Sequence, residues 1–257
     1  WGVRGSIACA SPDHVVYGGN TSCLEFTLGT HTLICDAGTG LRFLGQSLTK
    51  RGITEATMML THTHWDHISG FPFFAPAFNP AFTLRVMAGQ RDVYKRQVQA
   101  IQARQMDDPT FPVPLSIMRS QMSFRDFRAG EVLHPYDDVV VRTAPLRHPN
   151  DATGYRIEYG GKAVCYVTDT EHVPGQPDAT VLGLIRGADL VIYDSTYTDD
   201  EFPARVGWGH STWQEGVRLC RAAGARQLAI FHHDPDHDDA FMAQVEHDAK
   251  LAWDGTV

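Results

Sequence analysis

The segment Thr61-His62-Thr63-His64-Trp65-Asp66-His67 places four metal-competent side chains within six positions. It reads His-x-His-x-Asp-His. Imidazoles and carboxylates together suit a borderline divalent cation such as zinc. The cluster directly follows the apolar run Met58-Met59-Leu60, so a buried strand ending here would deliver it at a sheet edge. His62 and His64 are two apart and point the same way in an extended segment. Asp66 and His67 come after the chain turns, which assigns them to a second ion.

Three later positions complete such a pair of sites. His148, Asp169 and His232 each follow a strand-like run. Two zinc-type ions sharing a water need about six or seven protein ligands. The chain supplies His62, His64, Asp66, His67, His148, Asp169 and His232. Asp169 is the natural bridge, since a carboxylate can give one oxygen to each ion. His172, His210 and His237 lack the strand-end context and are not assigned as ligands. Asp36, at the end of another strand-like run, is either an orienting partner for a ligand histidine or a turn residue.

The elements that must position these residues can be read in order. Residues 1–22 are rich in glycine and small polar residues, the mark of tight turns or of close approach to a ligand. Cys23–Leu28 and Thr32–Asp36, joined through Gly29-Thr30, read as a hairpin. Leu41, Leu44 and Leu48 give a helical spacing over Leu41–Lys50. Strand Thr57–Leu60 leads into the histidine cluster. Pro72, Pro76 and Pro80 forbid a long helix in the phenylalanine-rich stretch behind it, which is read as core or as a pocket wall. Strand Leu84–Ala88 and a polar helix over Arg91–Gln105, with Tyr94, Val98 and Ile101 as its apolar stripe, follow. Residues 106–121 form an irregular excursion, a lid or an interface arm. Strands over Val139–Ala144, Gly154–Tyr159, Ala163–Thr168, Leu190–Tyr193 and Gln227–Phe231 then alternate with helices over Ala179–Arg186, from Ser211 or Thr212 to Ala223, and over Ala240–Trp253. Candidate ligands sit at strand ends throughout, which suits an α/β sandwich whose sheets present their loop edges to one site.

Composition narrows the class. The 257 residues are 43% hydrophobic and contain no low-complexity linker, so one domain over 1–257 is expected, with an excursion at about 90–128. The net charge of -8 argues against a general polyanion binder, and against tRNA as a substrate. Cys9, Cys23, Cys35, Cys165 and Cys220 are scattered and read as reduced core thiols. No apolar run approaches the ~18 residues of a membrane span. No signal peptide is visible, so the expected location is the cytoplasm, with the periplasm as the alternative if a leader once preceded Trp1. Residues 71–121 are a candidate homodimer contact.

The order His-x-His-x-Asp-His, strand-end His, strand-end Asp, strand-end His resembles the metallo-β-lactamase fold superfamily over nearly the whole chain. The resemblance implies a four-layer αβ/βα sandwich. It implies that His62, His64 and His148 hold one ion, that Asp66, His67 and His232 hold the other, and that Asp169 bridges. An Asp where some zinc β-lactamases carry Cys points to the phosphodiesterase-like branch. Asp194-Ser195-Thr196, Gly209-His210-Ser211-Thr212 and Leu228–His232 are similar to the C-terminal part of ribonuclease Z and its small-phosphodiester relatives. That likeness gives His210 a role at the scissile phosphate with Asp194 as its partner, although this chain has Tyr193-Asp194-Ser195-Thr196 where ribonuclease Z has a His-Glu-Ala-Thr-like segment. Adjacent strand residues face opposite ways, so only one of His232 and His233 can ligate. By the resemblance it is His232, whose spacing from Leu228 matches the family pattern.

These features imply a hydrolase with two divalent ions, zinc first and manganese or iron as alternatives. The attacking group would be a hydroxide shared by the ions, with Asp66 able to take its proton and His210 able to stabilise a phosphoryl oxygen or protonate the leaving group. The expected substrate is a small or nucleotide-like phosphodiester. Lactone or β-lactam hydrolysis at the same site is the second reading, since Trp65, Phe71, Phe73 and Phe74 would suit an apolar substrate. A non-catalytic, metal-stabilised binding module is the third.

Overall fold

The computed structural model describes residues 1–90, 97–253 and 255–256. Its contacts group into two compact units, Trp1–Gly2 with Asn20–Arg128, and Val3–Gly19 with Ala129–Val257.

In the first unit a five-stranded sheet has the order β1-β2-β3-β4-β5. β1 (Leu24–Leu28) and β2 (His31–Cys35) form the hairpin expected from the sequence, antiparallel with Leu28 opposite His31. β3 (Glu55–Leu60), β4 (Thr83–Gln90) and β5 (Gln121–Arg128) add in parallel. Ala56 through Leu60 of β3 are all buried, and a parallel strand covered on both faces reads as a continuous apolar run. α1 spans Leu41–Lys50 and buries Leu41, Leu44 and Leu48 against Ile34, Met58 and Leu60 of the sheet and against Phe71 and Phe74. The phenylalanine-rich stretch breaks at its prolines into two 3-10 turns, Phe71–Phe73 and Ala75–Phe78. Phe71, Phe74 and Phe82 are core, whereas Phe73 is 55% exposed. Replacing Leu44, which is fully buried, by alanine will cost about 2–5 kcal/mol of unfolding free energy, read from a urea titration.

α3 covers Val98–Gln105, and Asp126 of β5 accepts a hydrogen bond from its first N–H at 2.9 Å. Residues 91–96 of the helix expected over Arg91–Gln105, Tyr94 included, lie outside the described residues. Sequence patterning does not mark β5, where exposed positions alternate with half-buried ones up to buried Phe127 and which carries Arg125, Asp126 and Arg128. Its pairing along the whole of β4, from Thr83 with Gln121 to Gln90 with Arg128, overrides that weak local signal.

The second unit holds a six-stranded sheet of order β11-β10-β9-β8-β7-β6. β6 (Val132–Tyr136), β7 (Val139–Leu146), β8 (Ala152–Tyr159) and β9 (Lys162–Val167) are successively antiparallel. β10 (Leu190–Asp194) and β11 (Leu228–Phe231) then join in parallel. Parallel pairing requires crossovers, and these are α4 (Ala179–Ile185) and α5 (Trp213–Ala223). Thr212 caps α5 by accepting from the Glu215 N–H at 3.1 Å. Both helices pack on the sheet, and α6 (Asp239–Ala252) packs on α5. Val181, Ile185, Val217 and Leu219 of α4 and α5 share one core with Val167, Val191 and Leu228 of the strands. No described helix is long and apolar enough to cross a membrane.

Candidate metal centre

Parallel strands bring their carboxyl ends together, and each unit builds its polar cluster there. In the first unit Cys35 of β2 pairs with Met59 of β3, so Asp36, one residue on, and Thr61, two residues on, emerge as neighbours. Asp36 is fully buried with φ of 62°. Its carboxylate accepts from the Thr61 N–H at 2.7 Å, from Thr61 Oγ1 at 2.9 Å, and from His67 Nδ1 at 2.9 Å. The left-handed backbone and the buried charge are thus held by three donors. Of the two sequence readings of Asp36, the orienting role is the one its contacts describe.

His62 and His64 follow β3, His64 in extended backbone, and their rings meet at 4.4 Å. Asp66 and His67 lie in the single turn α2 (Trp65–Ile68), and the His67 ring stands 4.3 Å from that of His62. His67 Nδ1 donates to Asp36, so its lone pair is on Nε2, which faces Asp66 Oδ2 at 3.3 Å. A lone pair and a carboxylate oxygen repel at that distance unless a cation or a proton lies between them. Thr61 Oγ1 gives its proton to Asp36 and receives the Nδ1–H of His62 at 3.1 Å, which presents Nε2 of His62 in the same way. The donor set therefore suits a divalent cation of the zinc type, with ring orientation fixed from behind.

In the second unit Asp169 follows β9, Asp194 ends β10 and His232 follows β11. Nδ1 of His148 donates to the Gly209 carbonyl at 2.8 Å, which fixes its tautomer because a carbonyl only accepts. Nε2 of His148 lies 3.8 Å from Asp169 Oδ2, and Nε2 of His232 lies 3.3 Å from Asp169 Oδ1. The two oxygens of one carboxylate therefore face two different imidazoles. His232 has φ of 62° just past the strand, and its Nδ1 meets Thr196 Oγ1 at 3.0 Å. Donor atoms of Asp169, Asp194, His210 and His232 all lie within 4.8 Å of one another, a grouping able to hold a cation.

His210 Nδ1 donates to Asp194 Oδ2 at 3.0 Å, and its ring stacks on that of His232 at 4.8 Å. Asp194 is fully buried and also accepts from the Thr170 N–H and the Thr196 hydroxyl. Burial would raise its pKa, but the charge and hydrogen bond of His210, with the charge of His232, outweigh burial and hold it below the usual carboxylate value. Glu171 accepts from the Gly207 and Gly209 N–H groups, tying down the loop that carries His210. Gly209 has φ of 88°, and a Cβ there would lie 2.3 Å from His148 Nδ1. Gly5, in the glycine-rich opening, meets the His232 ring, where a Cβ would lie 2.4 Å from Cε1. The sequence offered no direct signal for Thr61, Glu171 and Thr196, whose roles come from strand-end neighbours distant along the chain.

The remaining histidines are held elsewhere. Nδ1 of His172 pairs with Ser211 Oγ at 2.8 Å, its ring stacks on Phe202, and burial pushes its pKa down. His237 Nε2 pairs with Glu201 at 2.8 Å. His233 is buried with its ring edge-on to Tyr17. Burial, with smaller contributions from Arg4, His232 and His237, lowers its pKa from 6.5 to about 3. Between those values the unfolded chain binds a proton that the folded chain refuses, so stability falls as pH falls through that window. The slope is up to about 1.4 kcal/mol per pH unit for this one group. Urea unfolding of wild type and His233→Leu between pH 4 and 8 will show the variant with the shallower dependence.

Residues 31–233 match the family described as Beta-lactamase superfamily domain. Ribonuclease Z of Haloarcula marismortui is 24% identical over 93% of this chain and 88% of its own length. Ribonuclease Z of Brevibacillus brevis is 32% identical over a shorter match, 31% of this chain and 23% of that protein. Among solved structures, the metallo-beta-lactamase fold protein YhfI from Bacillus subtilis superposes with a TM-score of 0.74 at 19% identity, covering 100% of this chain and 92% of its own. Human tRNase Z, short form, gives 0.68 at 19% identity, covering 91% of each chain. A diphosphatase from the PhnP family gives 0.66 at 16% identity, covering 95% of this chain and 88% of its own. The fold is thus the α/β metallo-β-lactamase fold. The expectation drawn from net charge, that tRNA is disfavoured, is overturned by these likenesses to ribonuclease Z and tRNase Z. A whole-chain charge of -8 is a sum and does not describe the local surface that meets an anion.

Proposed function

Because this chain belongs to the beta-lactamase superfamily, we propose that it is a dinuclear metal-dependent phosphodiesterase acting on nucleotide-like diesters, RNA among them. In this reading His62, His64 and His148 hold one divalent ion, Asp66, His67 and His232 the other, and Asp169 serves both. Zinc is the proposed metal, with manganese or iron as alternatives. Such ions supply positive charge to the non-bridging oxygens and lower the pKa of a water at the site toward about 7.

The observation that carries the phosphodiester reading is the His210–Asp194 pair set against Asp169 and His232. With its Nδ1–H committed to Asp194, His210 has Nε2 to hold a proton for a phosphoryl oxygen or for the leaving group. Asp66 offers a carboxylate oxygen to accept the proton that the attacking water releases. The two oxygens of Asp169, turned toward His148 and His232, support its bridging role. The cytoplasmic location belongs to the same proposal and is supported by five free thiols, four of them buried.

The deciding experiment is turnover of bis(p-nitrophenyl) phosphate and of a precursor tRNA, beside nitrocefin, by zinc- and manganese-loaded protein. Diester cleavage without nitrocefin turnover is expected. Nitrocefin or lactone turnover with no diester cleavage would overturn the proposal.

A further inference from the structure

The first unit contains a cleft of about 720 Å³ beside the His62–His67 loop. One wall is Trp65, which stands in the chain between His64 and Asp66 and is 82% exposed. Phe73, 55% exposed, and Phe111 also line it, with their rings edge to face at 5.8 Å. Phe71, Phe74 and Phe82 of the same region are core, so Trp65 and Phe73 are large apolar rings that the fold leaves in water. Exposed rings gathered in a concave site of roughly 300–1,000 Å³ are the usual lining of a small-molecule pocket.

The polar lining narrows the occupant. Arg104 of α3 and the adjoining Asp107 and Asp108 are all exposed at the rim. One guanidinium against two carboxylates makes the cleft a poor seat for a second phosphate. It suits a flat, neutral ring that presents N–H donors. Carboxylates accept from such donors, aromatic faces stack on the ring, and the guanidinium plane can do the same.

We propose that this cleft is a nucleobase subsite, in which Trp65 and Phe73 stack on the base flanking the scissile diester, Phe111 backs Phe73 edge to face, and Asp107 and Asp108 accept the N–H groups of the base. The proposal deepens the phosphodiesterase reading and rests on it for the diester, but base binding can be measured without turnover.

Metal-loaded protein is titrated with guanosine 5′-monophosphate, adenosine 5′-monophosphate and ribose 5-phosphate, by calorimetry and by quenching of tryptophan fluorescence. The nucleotides are expected to bind about 5- to 150-fold more tightly than ribose 5-phosphate, since a stacked base contributes ~1–3 kcal/mol. Phe73→Ala and Trp65→Ala, both at exposed positions, are expected to weaken nucleotide binding about tenfold and leave ribose 5-phosphate binding unchanged. Equal affinity for all three ligands, or variants that bind nucleotides like wild type, would overturn the subsite. Base-dependent binding by a protein that cleaves no diester would support the subsite and overturn the phosphodiesterase reading alone. Diester cleavage with no preference for a base would do the reverse.

Discussion

Truncation of His210 to alanine will lower phosphodiester turnover by about 10²–10⁴-fold, the usual contribution of a positioned acid or base, with metal content close to wild type and a lower unfolding midpoint, because buried Asp194 loses its imidazole partner. The side chain is only 12% exposed but faces the cluster of Asp169, Asp194 and His232 rather than the apolar core. Its loss should therefore leave the packing of the second unit intact. Asp194→Asn tests the same device from behind. The wild-type carboxylate accepts the Nδ1–H of His210 and so assigns the mobile proton to Nε2. An amide that donates to Nδ1 would force the proton onto Nε2 permanently. Turnover of Asp194→Asn should fall to a similar degree, and the double variant should be little worse than either single one, because residues acting as a unit do not add. His210→Ala with near wild-type turnover would remove His210 from the chemistry and leave it a packing residue on His232.

How much of this was legible beforehand depends on whether a feature is local. The hairpin over β1 and β2 and the helix Leu41–Lys50 were read almost to the residue, because a glycine turn and an i, i+3, i+7 stripe are properties of short segments. The strand-end positions of the candidate ligands were legible for the same reason: a buried apolar run followed closely by His or Asp fixes where that side chain emerges. His232 against His233 is instructive. Alternation along a strand says that only one of the two can ligate. The structure adds why: His232 turns through a left-handed φ just past the strand, while His233 bonds through its backbone to Val3 and Gly5 and buries its ring near Tyr17. The supports were not legible. Thr61, Glu171 and Thr196 act on residues brought near by parallel pairing or by loop return, and no spacing rule connects Glu171 with Gly207 and Gly209. Strand β5 is hard to read because its apolar alternation, Met122 and Phe124, is broken at Asp126 and four of its positions are exposed, so its pairing with β4 does more than its own pattern to make it a strand.

Asp36 shows how strongly such a support should act, and the expected loss on changing it is the second large effect. Asp36→Asn will weaken zinc binding by about 10–100-fold, the usual cost of removing the group that orients a ligand imidazole. It will also lower unfolding free energy by about 1–3 kcal/mol, since one buried donor loses its acceptor. The carboxylate has a donor on each oxygen, the Thr61 N–H on Oδ1 and His67 Nδ1 on Oδ2, with the Thr61 hydroxyl within reach of both. An asparagine can keep one side only. If its amide nitrogen faces His67, the imidazole must present its Nδ1 lone pair there and carry its proton on Nε2, the atom that faces Asp66. Asp36→Ala should be worse for stability, because alanine adopts a φ of 62° less readily than asparagine and accepts no hydrogen bond at all. Competition with a zinc chelator and a urea titration of the metal-free proteins separate the two effects. If Asp36→Asn holds zinc like wild type while both variants lose stability, Asp36 is a backbone anchor for the turn after β2 and not the group that aims His67.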